Sequence, residues 1–305
     1  MTYEDFLEAI QIEVGSRVED ACTVRVAQVR KNNGVMMEGL TILRPGEPVS
    51  PNIYLNPLYE RYRKGTDIEQ IADQILEQYR AFLDNSAKDT GMLRDLMSSE
   101  TVLKNVVYRL INTDRNKDLL EEIPHKEFLD LSLAYYVLVR ESGIGSGAVL
   151  VKKEHLERLG ISEEQLDLAA RANTPDLLPP QIVNLSKILD TFMFELGLKD
   201  TIEDPKERGS SPMFVLSNSE RQFGACYMTN RKVLREFAGE LEEDLYILPS
   251  SVHECMLIPA SFGETPENLT AMVRDINRTQ IEPQDFLSDN VYLYCRSTDR
   301  VEIAA

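Results

Sequence analysis

The chain is 305 residues long, with a formal net charge of −18, 43% hydrophobic and 28% charged residues. This is the composition of a folded globular protein, long enough for two domains or one large domain with a smaller lobe, and it excludes general disorder. An acidic excess of this size lacks the clustered Lys and Arg that phosphates or anionic lipids require, so neither nucleic acid nor membrane is expected as a partner, and a partner drawn by charge would be a basic protein.

The four cysteines, Cys22, Cys226, Cys255 and Cys295, lie far apart and form no C-x-x-C pair. That pattern reads as reduced thiols of a cytosol. The N-terminal MTYEDFLEAIQIEV is acidic and amphipathic, unlike a secretion signal, and no apolar run approaches the ~18 residues of a membrane span. The expected location is the cytoplasm.

In chain order, Phe6, Ile10 and Val14 recur at helical spacing, predicting a first helix over Tyr3 to Val14. Cys22 to Val29 alternates in the manner of a half-buried strand. Asn32-Asn33-Gly34 supplies residues that tolerate positive φ, and Val35 to Leu43 returns as a second strand, completing a hairpin. Prolines at 45, 48, 51 and 57 break up the next stretch, in which Tyr54, Tyr59 and Tyr62 cluster as anchors of a loop. Thr66 and Glu69 open a helix to about Phe82 with a buried stripe of Ile68, Ile71, Ile75, Tyr79 and Phe82.

The order then recurs. Val106 to Ile111 and Leu131 to Arg140 read as strands around an acidic loop carrying Pro124 and His125. A Gly143-to-Gly147 turn precedes a strand at Ala148 to Lys152, and Ser162 with Gln165 caps a helix to about Ala172. Asn173 to Pro180 is proline-rich and marks a boundary, Gln181 to Leu196 reads as a helix, and Lys199 to Pro212 as a polar loop. Met213 to Asn218 with Gly224 to Asn230 reads as another hairpin, followed by a helix over Arg231 to Glu242. A strand pair at Asp244–Ser250 and Glu254–Ala260, a helix opened by Thr265-Pro266-Glu267, and a closing strand at Val291 to Arg296 complete the chain. Hairpins each followed by a covering helix predict an α+β protein, mainly antiparallel, in two lobes, 1–175 and 176–305.

The segments MFVLSN (Met213–Asn218), GACYM (Gly224–Met228) and above all DLYILPSSVHE (Asp244–Glu254), with NIYLNPLYERYRKG (Asn52–Gly65), resemble a bacterial family of gut Firmicutes known as domain of unknown function 5688. The resemblance spans nearly the whole chain and implies a cytoplasmic α+β protein. It implies no activity, ligand or catalytic residue. A more distant likeness in element order is to a Bacillus-type family, also of unknown function.

The densest group of titratable residues is His253, Glu254 and Cys255 at the Pro-Ser-Ser corner. Residues two apart on a strand share a face ~6.5 to 7 Å apart at Cα, so His253 cannot easily activate Ser251 or Cys255 directly, although Cys226 on a neighbouring element could approach it. Zinc would need Cys226 and Cys295 as further donors, without any tight spacing to support it, against the plainer reading of cysteine as a small hydrophobe. No metal or other cofactor is expected. The Gly143–Gly147 run fails both phosphate-loop patterns. Asn218, Tyr227, Tyr246, Ser250, Ser251, His253 and Glu254 could converge on a polar ligand, whereas the blander alternative has the serines capping a turn that His253 braces. Tyr54, Tyr59, Arg61 and Tyr62 form a locally basic aromatic patch for a protein partner. The sequence therefore favours a non-catalytic interaction or regulatory protein, with a hydrolase-like or metal-dependent enzyme centred on His253 as the rival.

Overall fold

The computed structural model describes residues 1–45, 50–86, 98–141, 145–188 and 212–304. They divide into two compact units, Met1–Val102 with Val137–Val149, and Leu103–Tyr136 with Leu150–Ala305. The architecture is α+β. Its sheets are built from antiparallel strand pairs.

In the first unit, helix α1 (Tyr3–Gly15) starts at a reciprocal cap. The Thr2 hydroxyl accepts from the Asp5 N–H at 3.2 Å, and the Asp5 carboxylate accepts from the Thr2 N–H at 3.0 Å. Its stripe of Phe6, Ile10 and Val14 is fully buried, each side chain worth about 1.5–3 kcal/mol. The stripe packs with Leu40 and Ile42 of the hairpin and with Ile71 and Ile75 of α3 (Ile68–Ser86). The hairpin joins β1 (Thr23–Arg30) to β2 (Met36–Leu43), in register from Thr23↔Leu43 to Arg30↔Met36. Asn33 and Gly34 turn it at φ 61° and 69°, a region open to Gly and Asn at little cost. After β3 (Ile53–Tyr54) the expected loop is helix α2 (Leu55–Arg63). Its tyrosines do anchor the core, with Tyr59 and Tyr62 lying 5.2 and 5.5 Å from Phe6 between ring centres.

Further along, α4 (Ser99–Asn105) leads into β4 (Val106–Asn112). The acidic loop expected next contains a short helix α5 (Lys117–Glu122) and a strand β5 (His125–Phe128). With β6 (Leu131–Glu141) and β7 (Gly145–Leu150) these form a sheet ordered β4-β6-β5, with β7 also on β6. The polar alternation of HKEF is too short to separate from loop by pattern alone, and pairing with β6 is what makes it a strand. Residues 143 and 144 of the expected glycine turn lie outside the described residues, and Gly145 already belongs to β7.

After α6 (Lys153–Leu159), helix α7 (Glu163–Leu177) begins at the predicted capping box, with Gln165 N–H to Ser162 Oγ at 3.1 Å and Ser162 N–H to Gln165 Oε1 at 2.9 Å. It runs straight through Asn173 to Leu177, past the expected helix end at about Ala172 and into the proline-rich stretch expected to mark a boundary. The Asn173 amide donates to the Leu103 and Val106 carbonyls at 2.8 and 3.1 Å, and the Tyr108 N–H donates to the Thr174 hydroxyl at 3.2 Å. These bonds hold the end of α7 on β4 and override the local proline signal. On the same helix, Asp167 accepts from Lys126 Nζ, the Tyr135 hydroxyl and Arg171 Nε, each at 2.9 Å.

The larger sheet is six-stranded, ordered β13-β12-β10-β11-β9-β8, from β8 (Pro180–Asn184), β9 (Phe214–Asn218), β10 (Leu245–Pro249), β11 (Cys255–Pro259), β12 (Tyr292–Cys295) and β13 (Arg300–Ile303). Two expectations fail here. Gly224–Thr229 is a 3-10 helix, not the return strand of a hairpin, because Phe223 turns the chain at φ 58°. The partner of β9 is instead β8, whose Gln181–Asn184 had read as the start of a helix and pairs from Pro180↔Asn218 to Asn184↔Phe214. Residues 185–188 are helical as expected, whereas the remainder of that helix from residue 189 and the expected loop from Lys199 to residue 211 lie outside the described residues. A final strand, β13, follows the one expected to close the chain.

Helix α8 (Arg231–Leu241) is capped by Asn230, and α9 (Pro266–Gln280) by the Thr265 hydroxyl, with Pro266 at the first turn where its missing N–H has no partner to lose. Leu269 and Val273 of α9 pack with Leu248 and Ile258, whereas the intervening Ile247 and Leu257 are fully buried as well. Both faces of β10 and β11 are thus covered, which is why LYILP and CMLIP read as unbroken apolar runs.

Candidate functional site

The predicted corner joins β10 to β11, whose last paired residues are Pro249 and Cys255. Between them the turn closes on itself. The Ser251 N–H and the Ser250 hydroxyl donate to the Glu254 carbonyl at 3.3 and 3.2 Å, and the His253 N–H donates to Ser251 Oγ at 3.0 Å. A serine hydroxyl accepting a main-chain N–H two residues on is an ordinary turn device.

His253 fastens this turn to three other segments. Its carbonyl accepts from the Gly224 N–H and from Ser217 Oγ, both at 2.9 Å. Its Nδ1 accepts from the Phe223 N–H at 3.2 Å, and its Nε2 lies 3.3 Å from Asp285 Oδ1. Next door, the Val252 N–H donates to the Asp285 carbonyl at 2.8 Å. A main-chain N–H can only donate, so Nδ1 must carry the lone pair and Nε2 the proton, which it donates to Asp285. In the neutral ring no lone pair remains for a substrate. The Phe223 ring sits 4.9 Å from the imidazole, tilted by 47°.

Backbone shape makes this approach possible. A Cβ on Gly224 would stand 2.5 Å from Ser217 Oγ, 2.6 Å from Ser217 Cα and 2.8 Å from Asn218 N. Asn218, fully buried, organises the loop that delivers Phe223. Its amide donates to the Gln222 carbonyl at 2.7 Å, and its Oδ1 accepts from the Glu220 and Gln222 N–H groups at 3.0 and 3.3 Å.

Ser250, Ser251, His253 and the Glu254 main chain therefore meet at one corner, with Asn218 shaping its neighbour. Tyr227 and Tyr246 do not join them. The Tyr227 hydroxyl is buried against the end of α7, donating to the Thr174 carbonyl at 3.1 Å and contacting that of Leu178. Tyr246 of β10 pairs with Ile258 of β11 and packs in the cluster under α9. Of the expected partner patch, Tyr54 lies under Lys31 Nζ at 3.6 Å, the Tyr59 hydroxyl donates to the Met1 carbonyl at 3.3 Å, Tyr62 stacks on Tyr59, and Arg61 is exposed.

The thiols near the corner are sealed. Burial pushes the Cys226 thiol up to about 12 and raises Cys255 further still, so neither supplies a thiolate nucleophile at neutral pH. Cys295, the other donor considered for zinc, hydrogen-bonds Ser297 Oγ at 3.2 Å. Among the described residues no three His, Cys, Asp or Glu side chains are grouped to hold a metal ion.

Sequence reasoning missed Asp285, Phe223 and Arg109. Asp285 and Phe223 sit in irregular segments that carry no period. Arg109 did leave a signal, as a lone charge inside the apolar strand VVYRLIN. Its guanidinium carbon lies 3.5 Å from the centre of the Phe223 ring and 4.1 Å from that of Tyr136.

A family model described as a family of unknown function, DUF5688, matches residues 3–296. No curated protein and no solved structure matches the chain. Among the described residues no helix is long and apolar enough to cross a membrane.

Proposed function

The chain belongs to this family of unknown function, and from the commitments of its own side chains we propose that it is a non-catalytic binding protein of the cytoplasm, acting in interaction or regulation on a basic protein partner. One observation carries the reading. His253, the most promising catalytic residue in the sequence, has its acceptor nitrogen on the Phe223 N–H and its donor nitrogen on Asp285. A general base needs a free lone pair within reach of the proton it removes. The net charge of −18 supports a partner of opposite sign, because long-range attraction raises encounter rates with basic surfaces.

The rival is a hydrolase-like enzyme, favoured by the His253–Asp285 pair itself, since a carboxylate that orients an imidazole is part of many nucleophilic sites. His253→Gln separates the two. Wild type and variant are screened on model ester, peptide and phosphoester substrates, and their bound proteins are recovered from the native host at low and high salt. The expected result is no His253-dependent turnover, with the same salt-sensitive basic partners retained by the variant. Turnover by wild type that a folded His253→Gln protein lacks would refute the non-catalytic reading.

A further inference from the structure

Two partly buried arginines pair with carboxylates: Arg17 with Asp73 at 2.8 Å, and Arg171 with Asp167 at 2.9 Å. Arg109 departs from that habit. Among the described residues no carboxylate pairs with it, and its polar partner is the Tyr136 hydroxyl. Its Nε is buried without any hydrogen-bond acceptor. Such a donor, taken out of water and left unmatched, is destabilising unless something else supplies the acceptor.

The surroundings say what kind of acceptor would fit. The Tyr136 and Phe223 ring centres lie 4.1 and 3.5 Å from the guanidinium carbon, so aromatic surface occupies the space beside it and the rings attract its positive charge. The hydrogen-bonding directions that remain lie in the guanidinium plane, where its N–H groups form a fork matching two oxygens of one acid group. Arg109, Tyr136, Phe223 and His253 each keep part of their surface as residues, although the Arg109 Nε itself is covered. The Phe223 wall is also held in place, its N–H on His253 Nδ1 and the next N–H, of Gly224, on the His253 carbonyl. That pinning limits the ordering that a ligand would otherwise have to impose.

We propose that Arg109, walled by Tyr136 and Phe223, is the anchor of a binding site for a small oxyanion, a carboxylate or phosphate group gripped in the guanidinium plane. Burial lowers the Arg109 pKa to about 10, which still leaves the group cationic at neutral pH. The site goes beyond the binding role proposed above, since it would serve a catalytic and a non-catalytic protein equally.

The test titrates sodium phosphate and sodium acetate against sodium chloride at equal ionic strength. It follows thermal unfolding of wild type, Arg109→Met and Arg109→Lys, with the phosphorus NMR linewidth of inorganic phosphate as a second readout. A saturable rise of about 3 °C over chloride near ten times Kd is expected for wild type. Arg109→Met abolishes it, and Arg109→Lys, which keeps the charge but not the fork, weakens it at least about tenfold. The anion that acts distinguishes a phosphate from a carboxylate ligand. Three results overturn the proposal: no saturable rise with either anion, an equal rise in Arg109→Met, or, should that variant fail to fold, undiminished phosphate broadening by Arg109→Lys. None of these depends on turnover or on partner recovery, so this site and the non-catalytic reading fail separately.

Discussion

Replacing Gly224 by Ala adds a single methyl group at the point where the 3-10 helix presses on β9. The φ of Gly224 is not in the left-handed region, so the effect is steric. Of the three atoms within 2.8 Å of the new Cβ, Ser217 Cα and Asn218 N are main chain and cannot rotate away. Relief requires moving β9 or the 3-10 helix, which strains the bonds that Gly224 N–H and Ser217 Oγ make to the His253 carbonyl, both 2.9 Å. Overpacking of this kind costs about 1–3 kcal/mol, and the upper end applies when backbone must shift. Against it stands the stiffening of the unfolded chain by Ala, about 0.4–1 kcal/mol. The net loss is about 2 kcal/mol. Because the two compact units need not unfold together, the readout is native-state hydrogen exchange at amides of β9, β10 and β11, which report their own unit. Where exchange proceeds by opening of that unit, it should accelerate by about 30-fold. Adding Ser217→Ala removes the Oγ contact but leaves the two main-chain ones, so it should not restore the wild-type rate. Unchanged or slower exchange in Gly224→Ala would refute the close approach and with it the described corner.

Two further outcomes follow from buried groups. Burial pulls the Asp167 carboxyl upward, but hydrogen bonds from Lys126, Arg171 and Tyr135 outweigh it and hold the group below its ordinary value. Its stabilisation is therefore complete above the unfolded carboxylate pKa of about 3.9 and is lost as pH falls through the lower folded value. Asp167→Asn should lower stability by about 1.5–3 kcal/mol at neutral pH, and the gap to wild type should close on acidification. A gap that persists through the acid range in thermal melts across pH would contradict the assignment. For the thiols, Cys226 and Cys255 are fully buried whereas Cys295 is part-exposed and its thiol is lowered by hydrogen bonds with Ser297 and Thr298. Alkylation followed by mass spectrometry should modify Cys295 in the native protein and reach Cys226 and Cys255 only after unfolding, and native labelling of Cys226 would be the contrary result.

The elements legible in the sequence are those whose signal is local. The Asn33-Gly34 turn needs positive φ, and these residue types offer it whatever surrounds them. The Ser162 and Thr265 caps satisfy donors within their own first turn. The misread elements depend on distant partners. Gln181 to Asn184 is a strand because β9 lies beside it, and Gly224 to Thr229 is helical because Phe223 turns the chain and Ser217 leaves no space for anything but Gly. Asn173 to Leu177 stays helical despite Pro175 because the Asn173 and Thr174 side chains hydrogen-bond Val106 and Tyr108 of β4.

By itself the sequence determined the α+β class, the first hairpin, the capped helices and the corner at Ser250–Glu254, since each rests on periodicity or on bonds spanning a few residues. Only the tertiary structure decided what the corner does. The Phe223 N–H and the Asp285 carboxylate come from 30 and 32 residues away, and together they choose the tautomer of His253. The same folding brings Phe223 and Tyr136 over Arg109, two rings that no spacing in the chain could have placed around one charge.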